Sequence, residues 1–196
     1  MPTAKKSGFI TVEKYLNGEL ISEVKHEYVD GQIYVMAGAS KNHERISGNF
    51  FAEFRSHLKG STCESFGADL KIKTPSGSFR YPDCMVVCDD DSENEYYTTL
   101  PKIIVEVLSR STRKTDETAK LIEYINIPTL EEYVIIEQDV VDVTVYRKSD
   151  DWRSTHYFLG DKIHFESIEL ALSVENIYDR VQNEDVIEFL ASKNKQ

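Results

Sequence analysis

Two acidic residues stand where apolar strands should run, and both could do chemistry. Glu106 interrupts Ile103-Ile104-Val105-Glu106-Val107-Leu108, and Asp83 opens Cys84-Met85-Val86-Val87-Cys88 behind Tyr81-Pro82. A carboxylate buried in such a run without a partner costs several kcal/mol, so each needs a cation, a donor or a proton. If the two strands are neighbours, the carboxylates form an oxygen-donor pair of the kind that holds magnesium or manganese. The bland account of Glu106 is a charge at a strand end, satisfied by a nearby lysine. The run alone weighs the two accounts equally.

Further candidates gather around this pair. Asp116, Lys120 and Tyr124 follow an i, i+4, i+8 course along the next helical stretch. An exposed Asp-Lys pair there is worth a few tenths of a kcal/mol, about the least such a spacing means. The functional account has Lys120 reaching over the sheet to steady a phosphate or orient a water. Glu27 precedes an Asp30-Gly31 turn and has a plain role as a cross-strand charge partner. His43, in the first turn of a long helix, reads by itself as a surface or capping group. Several other templates are missing: a Gly-rich phosphate loop, Gly-x-Ser-x-Gly, His-Glu-x-x-His and paired Cys-x-x-Cys.

The elements that must carry these residues are legible in outline. Thr11 caps a short helix with Val12, Tyr15 and Leu16, and Asp-Gly turns a hairpin between Glu27-Tyr28-Val29 and Gln32 to Met36. Ser40 to Lys59 reads as a helix, with Ile46, Phe50, Phe54 and Leu58 on one stripe and Gly60 as its stop. Strands are expected at Ala68 to Lys73, Arg80 to Cys88 and Ile103 to Leu108, the last buried on both faces. A helix capped by Thr115 runs to Ile125, ended by Pro128. Hairpins follow at 133–147 and 153–165, then helices at 173–180 and 185–191. The order describes an α+β (mixed α/β) fold, a sheet with at least one helix upon it.

Length and composition bound the rest. At 196 residues the chain predicts a single domain, with a core near 12–147 and a C-terminal hairpin and helices at 148–191. Apolar residues make up 40% and charged ones 29%, which excludes a disordered chain. No apolar run approaches the roughly 18 residues of a membrane span, and Met1 to Gly8 lacks a signal peptide's core. A cytoplasmic protein without membrane contact is the expectation. The net charge of −11 argues against a uniformly basic nucleic-acid binder. Five acidic residues in the seven from Asp89 to Glu95 carry nearly half of that excess, which leaves room for a local basic groove. Three cysteines, an odd number without metal-site spacing, read as buried small hydrophobes in a reducing compartment.

Taken in order, these features resemble the Uma-type restriction-endonuclease family, long filed as a domain of unknown function, within the PD-(D/E)xK nuclease superfamily. The resemblance runs from Val12 to Arg147. It rests on His26-Glu27-Tyr28-Val29-Asp30-Gly31-Gln32-Ile33-Tyr34, on His43, and on Asp69 in Gly67-Ala68-Asp69-Leu70. It continues through Tyr81-Pro82-Asp83, Val105-Glu106-Val107-Leu108-Ser109-Arg110-Ser111-Thr112, Asp116-x-x-x-Lys120-x-x-x-Tyr124 and Glu132-Tyr133. It implies a restriction-endonuclease-like core, a mixed sheet flanked by helices with additional hairpins, often assembled as a homodimer.

The same resemblance implies that Asp83 and Glu106 hold one or two Mg2+ (or Mn2+) ions, with the Val107 carbonyl as a further ligand and Glu27 completing the site. The motif's lysine, due two residues after Glu106, is replaced by Leu108, and Lys120 is the candidate that migrated. His43, Asp69, Asp116 and Tyr124 are possible accessories. Nucleic acid, expected to be DNA, would then approach over Lys71, Lys73, Arg80, Arg110, Arg113 and Lys114. Two other readings compete with metal-assisted phosphodiester hydrolysis. A degenerate nuclease-fold module that binds nucleic acid or a protein partner without cutting is favoured by the missing adjacent lysine and the acidic balance. A two-carboxylate hydrolase of the glycosidase type gains little from Trp152, the single tryptophan, far in sequence from both acids.

Overall fold

The computed structural model describes residues 8–90, 94–109, 113 and 115–193. Helix α1 (Val12–Glu19) leads into β1 (His26–Val29) and β2 (Gln32–Val35), followed by the long α2 (Lys41–His57). Strands β3 (Cys63–Gly67), β4 (Lys71–Lys73), β5 (Phe79–Arg80), β6 (Cys84–Cys88), β7 (Tyr97–Thr98) and β8 (Pro101–Leu108) come next. A π-helical turn, Thr115–Lys120, runs directly into α3 (Leu121–Tyr124). The chain closes with β9 (Glu132–Glu137), β10 (Val143–Arg147), β11 (Ser154–Tyr157), β12 (Lys162–Phe165), β13 (Leu170–Ser173), α4 (Val174–Ile177) and α5 (Glu184–Lys193). Among the described residues, no helix is long and apolar enough to cross a membrane.

Two sheets do the positioning. The larger has the order β11-β10-β9-β8-β6-β3, antiparallel except where β8 runs parallel to β9. The smaller has the order β2-β1-β5-β4-β7. In the large sheet Ile103, Val105 and Val107 pack toward α2, against Ile46, Phe50 and Phe54. Alternation turns Ile104, Glu106 and Leu108 to the opposite face, where Ile72 of the small sheet and Tyr124 of α3 close over Ile104 and Leu108. β8 is therefore covered on both sides, as its apolar run demands.

Local chemistry explains the frame. Ser40 caps α2 by accepting from the His43 N–H, and Thr11 caps α1 by accepting from the Lys14 N–H. Asp30 and Gly31 both take positive φ, 48° and 76°, the conformation a two-residue hairpin turn requires. The Phe9 ring lies across that turn where a Cβ on Gly31 would stand.

Several boundaries differ from expectation. Ala68 to Leu70 form a turn, and only Lys71–Lys73 are extended. The run from Arg80 to Cys88 is two strands in different sheets, because Pro82 lacks the N–H a continuous ladder would need. Thr115 opens the π-helical turn instead of standing outside an α-helix as its cap. β11 pairs with β10, and β12 with β13, so 153–165 is not one hairpin. The acidic segment's residues 91–93 lie outside the described residues, as do 194–196.

The cysteines also need correction. Cys84 is buried and free, but Cys63 and Cys88 are direct register partners in the β3–β6 ladder and form a disulfide. Antiparallel pairing joins positions that no local spacing relates, and a pair facing each other across two strands is close enough to bond. Thiol titration of the protein denatured without reductant should find one reactive thiol per chain, and three after reduction. Three in both samples would remove this crosslink.

Candidate active site

The small sheet brings an inward face of unlike residues over Glu106. Tyr28 pairs with Phe79, and these two pack with Tyr15 of α1 on the outer side. Alternation then sends Glu27 of β1 and Arg80 of β5 to the inner side, which Ile72, the register partner of Arg80, also occupies. Opposite them, the turn ending in α3 presents Asp116, Lys120 and Tyr124. Widened π turns of this kind recur at functional sites.

Glu106 is the centre of the resulting network. Its Oε1 accepts from Lys120 Nζ at 2.8 Å and from the Tyr124 hydroxyl at 2.8 Å. Lys120 Nζ also lies 3.0 Å from Asp116 Oδ1 and 3.6 Å from Glu27 Oε1. The other oxygen of Glu27 accepts from Arg80 Nη1 at 2.9 Å. Arg80 forks further to Glu123 Oε2, with Nε at 3.0 Å and Nη2 at 2.9 Å. Glu106, Lys120, Asp116, Glu27 and Arg80 are all buried, so these are charge-assisted contacts in a low-dielectric setting.

Asp83 arrives from the neighbouring strand. β6 pairs with β8 through Cys84 and Val105, so one step further along the ladder Asp83 comes level with Glu106. Its Oδ2 accepts from the Val107 N–H at 2.7 Å and lies 3.2 Å from His43 Nε2. A strand residue's N–H and C=O project to the same side, so the Val107 carbonyl shares this edge. His43 Nδ1 is buried without a hydrogen-bond partner, and Asp116 Oδ1 meets Lys120 as an ion pair without hydrogen-bond geometry.

Charge and burial set the protonation states. Burial raises the Glu106 carboxyl well above the usual range, with Asp116 and Asp83 adding to it and Lys120 opposing. Burial would lower Lys120, but Glu106, Glu27, Tyr124 and Asp116 outweigh it and keep the ammonium charged. Burial opposes the ionisation of Glu27 too, yet Lys120 and Arg80 prevail and hold it below the ordinary value. Tyr124, raised by burial and by Glu106, stays a proton donor. With every group ionised, the carboxylates of Glu27, Asp83, Glu106, Asp116 and Glu123 face the cations of Arg80, Lys120 and His43, an excess of two negative charges.

That excess, together with hard oxygen donors, fits Mg2+ or Mn2+. Among the described residues no three His, Cys, Asp or Glu side chains form a ready cage, but such ions need only one or two carboxylates and water. The resemblance makes Glu27 a metal ligand; the structure instead turns its oxygens to Arg80 and Lys120.

The expected basic strip is largely committed elsewhere. Arg80 is sealed between two carboxylates, and Lys71 is buried, donating to the Tyr81 hydroxyl at 3.3 Å. Lys73 lies by the rings of Phe79 and Tyr97, and Arg113 binds Glu137 and approaches Glu117 at 3.6 Å. Arg110 and Lys114 lie outside the described residues. Asp69 is exposed and pairs with Lys25 at 2.9 Å, and among the described residues no bond ties it to the Glu106 network. Glu123 was not legible as a site residue, since no spacing rule pairs it with Arg80. Two cavities, of about 240 and 380 Å³, lie elsewhere, one beside Glu131 and Glu166 and one beside Glu64 and Asp89.

Comparison with known proteins bears on the family and the fold. The Uma2 family, described as "putative restriction endonuclease", matches residues 12–175. An uncharacterized protein of Synechocystis sp. is 38% identical over 173 residues, covering 86% of this chain and 91% of its own length. A second from the same organism is 32% identical over 163 residues, covering 80% and 92%. A crystal structure of a "putative nuclease" from Anabaena variabilis superposes with a TM-score of 0.73 at 18% identity. It covers 88% of this chain and 99% of that one, so the two share a fold.

The His43–Asp83 contact makes a pH-dependent contribution. Burial lowers the His43 pKa, but the hydrogen bond and charge of Asp83 outweigh this and leave it raised. A raised value means the stabilisation is complete below the ordinary histidine pKa near 6.5 and is lost as pH climbs through the folded-state value. His43→Gln keeps a donor without the charge. Urea unfolding should find it less stable than wild type by about 1–2 kcal/mol at pH 6, with the gap closing toward pH 9. A gap independent of pH would mean that no charged pair forms.

Proposed function

This chain belongs to the Uma2 family of putative restriction endonucleases, and from that premise we propose that it is a metal-dependent endonuclease hydrolysing phosphodiester bonds, with DNA as substrate. The observation that carries the reading is the Lys120 ammonium 2.8 Å from Glu106, with Asp83 level with it on the next strand. Glu106, Asp83 and the Val107 carbonyl would hold one divalent cation. Once bound, that ion supplies Lewis acidity toward a phosphate oxygen and a lowered pKa for an attacking water.

The chain's own residues do the remainder. Lys120 Nζ, held protonated by its acidic neighbours, offers hydrogens to the attacking water or to the charge that builds on the phosphate. Tyr124 fixes the Glu106 carboxylate in one rotation by donating to Oε1. Asp116 keeps the ammonium from following Glu106 alone. Ile104, Leu108 and Tyr133 lie among the buried residues of this face, which keeps the local dielectric low and strengthens every charge contact.

The non-cleaving alternative has one observation in its favour. Arg80 and Lys71 are buried and Arg113 pairs with Glu137 and Glu117, so half of the six basic residues of the expected strip are committed within the protein.

The test is cleavage of supercoiled plasmid and of single-stranded DNA with Mg2+, Mn2+ or EDTA. Wild type should nick only with metal, and Glu106→Gln and Asp83→Asn should lose activity while keeping the fold. Lys120→Met should bind metal yet turn over about 100-fold more slowly or worse. Calorimetry should show metal affinity rising with pH, since the ion displaces a proton from the raised Glu106 carboxyl. No cleavage together with no divalent-metal binding would move the assignment to the non-cleaving module.

A further inference from the structure

Arg80 has two carboxylate partners, and each stands next to a group that grips Glu106. Glu27 lies beside Lys120, and Glu123 precedes Tyr124 on α3. Glu123 is fixed from its other side, where Oε1 accepts the hydroxyls of Thr74 at 2.9 Å and Ser76 at 3.0 Å. The guanidinium is therefore anchored, and its planar fork cannot follow one partner without leaving the other.

The distances around Lys120 are unequal in a telling way. Glu106 and Asp116 are at 2.8 and 3.0 Å, whereas Glu27 stops at 3.6 Å. Glu27 is ionised and buried, so an unrestrained carboxylate there would close on the ammonium and draw it off Glu106. What opposes this is Arg80, which holds the other oxygen at 2.9 Å, with the Tyr81 backbone N–H also directed at the carboxylate.

We propose that Arg80 is a positioning residue for the reaction, restraining Glu27 so that Lys120 stays on Glu106. This rests on the nuclease reading for its effect on turnover, though not for its effect on Lys120. Arg80 touches neither the Asp83 carboxylate nor the reacting phosphate in this scheme. It acts by deciding which of three acids the lysine serves.

The experiment is a double-mutant cycle of Arg80→Met and Glu27→Gln, which separates restraint from mere support. In the wild-type background Arg80→Met should lower kcat about 10-fold or more, with KM and metal affinity within about twofold. In the Glu27→Gln background the same change should cost less than about twofold, since a neutral amide does not compete for the ammonium. A tie that only braces α3 through Glu123 would cost the same in both backgrounds and would overturn the proposal. The Lys120 ammonium resonance, followed at one pH by nitrogen-15 NMR without metal, gives a readout free of activity. It should move in Arg80→Met and return toward the Glu27→Gln position in the double variant; an unmoved resonance refutes the restraint. If wild type cleaves nothing, the resonance alone decides the role of Arg80, and the nuclease reading fails where divalent-metal binding is absent too. Thermal melts confirm folding, and if Arg80→Met does not fold, Arg80→Lys runs the same cycle. Its ammonium cannot fork to both carboxylates, so the sign of the effect is unchanged.

Discussion

A carboxylate in the middle of a strand buried on both faces is the constraint from which the rest of this site follows. Glu106 could lie at that position only if something offset its desolvation, and an apolar neighbour cannot. The strand offers no cation beside it, because its nearest neighbours on the same face are Ile104 and Leu108. Charge must therefore come from outside the large sheet. It comes from the helical turn after β8, which lays Lys120 and Tyr124 on a single oxygen of Glu106.

Bringing a cation inward creates a second requirement, since a buried ammonium must be balanced and held. Asp116 does so from the same turn and Glu27 from the small sheet, and Glu27 in turn requires Arg80. The small sheet is thus more than a cover for the apolar face of β8. Its inner side carries two charges of opposite sign, Glu27 and Arg80, which pair with each other and meet Lys120 and Glu123. Remove any one member and the charges beside it lose a partner, so residues from β1, β5, β8 and the π turn act as one network. The excess of negative charge that remains is what a divalent ion, or a proton on Glu106, would relieve.

The residues of the candidate site were legible in the sequence because each broke a local rule. Glu106 interrupted an apolar run, Asp83 followed a proline at a strand start, and Lys120 repeated the spacing of Asp116 and Tyr124. The α2 helix and the Asp30-Gly31 hairpin were equally plain, since periodicity and turn chemistry are local. What stayed hidden depended on pairing between distant segments. The division of Arg80 to Cys88 between two sheets, the Cys63–Cys88 bond and the Arg80–Glu123 contact all join residues without a shared period. Arg80 was the instructive case. As a basic residue near the motif it read as a phosphate contact, whereas its burial between two acids makes it internal.

The placement of the lysine explains why this network is so large. A lysine on β8 two residues after Glu106 would share its face and be aimed by the strand itself, with rigidity supplied by the ladder on either side. Leu108 occupies that position and is buried with Tyr124 and Tyr133, so the space is filled by apolar packing and the charge enters over it. Lys120 instead rises from a π turn, a support with a wider and softer hydrogen-bond pattern than a strand. Four rotatable bonds on such a base do not define an ammonium position; contacts at its tip must do so. Tyr133 steadies the base by donating to the Asp116 carbonyl at 3.1 Å, and Glu106, Asp116 and Glu27 surround the tip. A cation supplied from a helix and not from the strand is therefore positioned by a balance of buried charges in place of backbone geometry. Such a balance is sensitive to each member, and the residues that set it lie far apart in sequence.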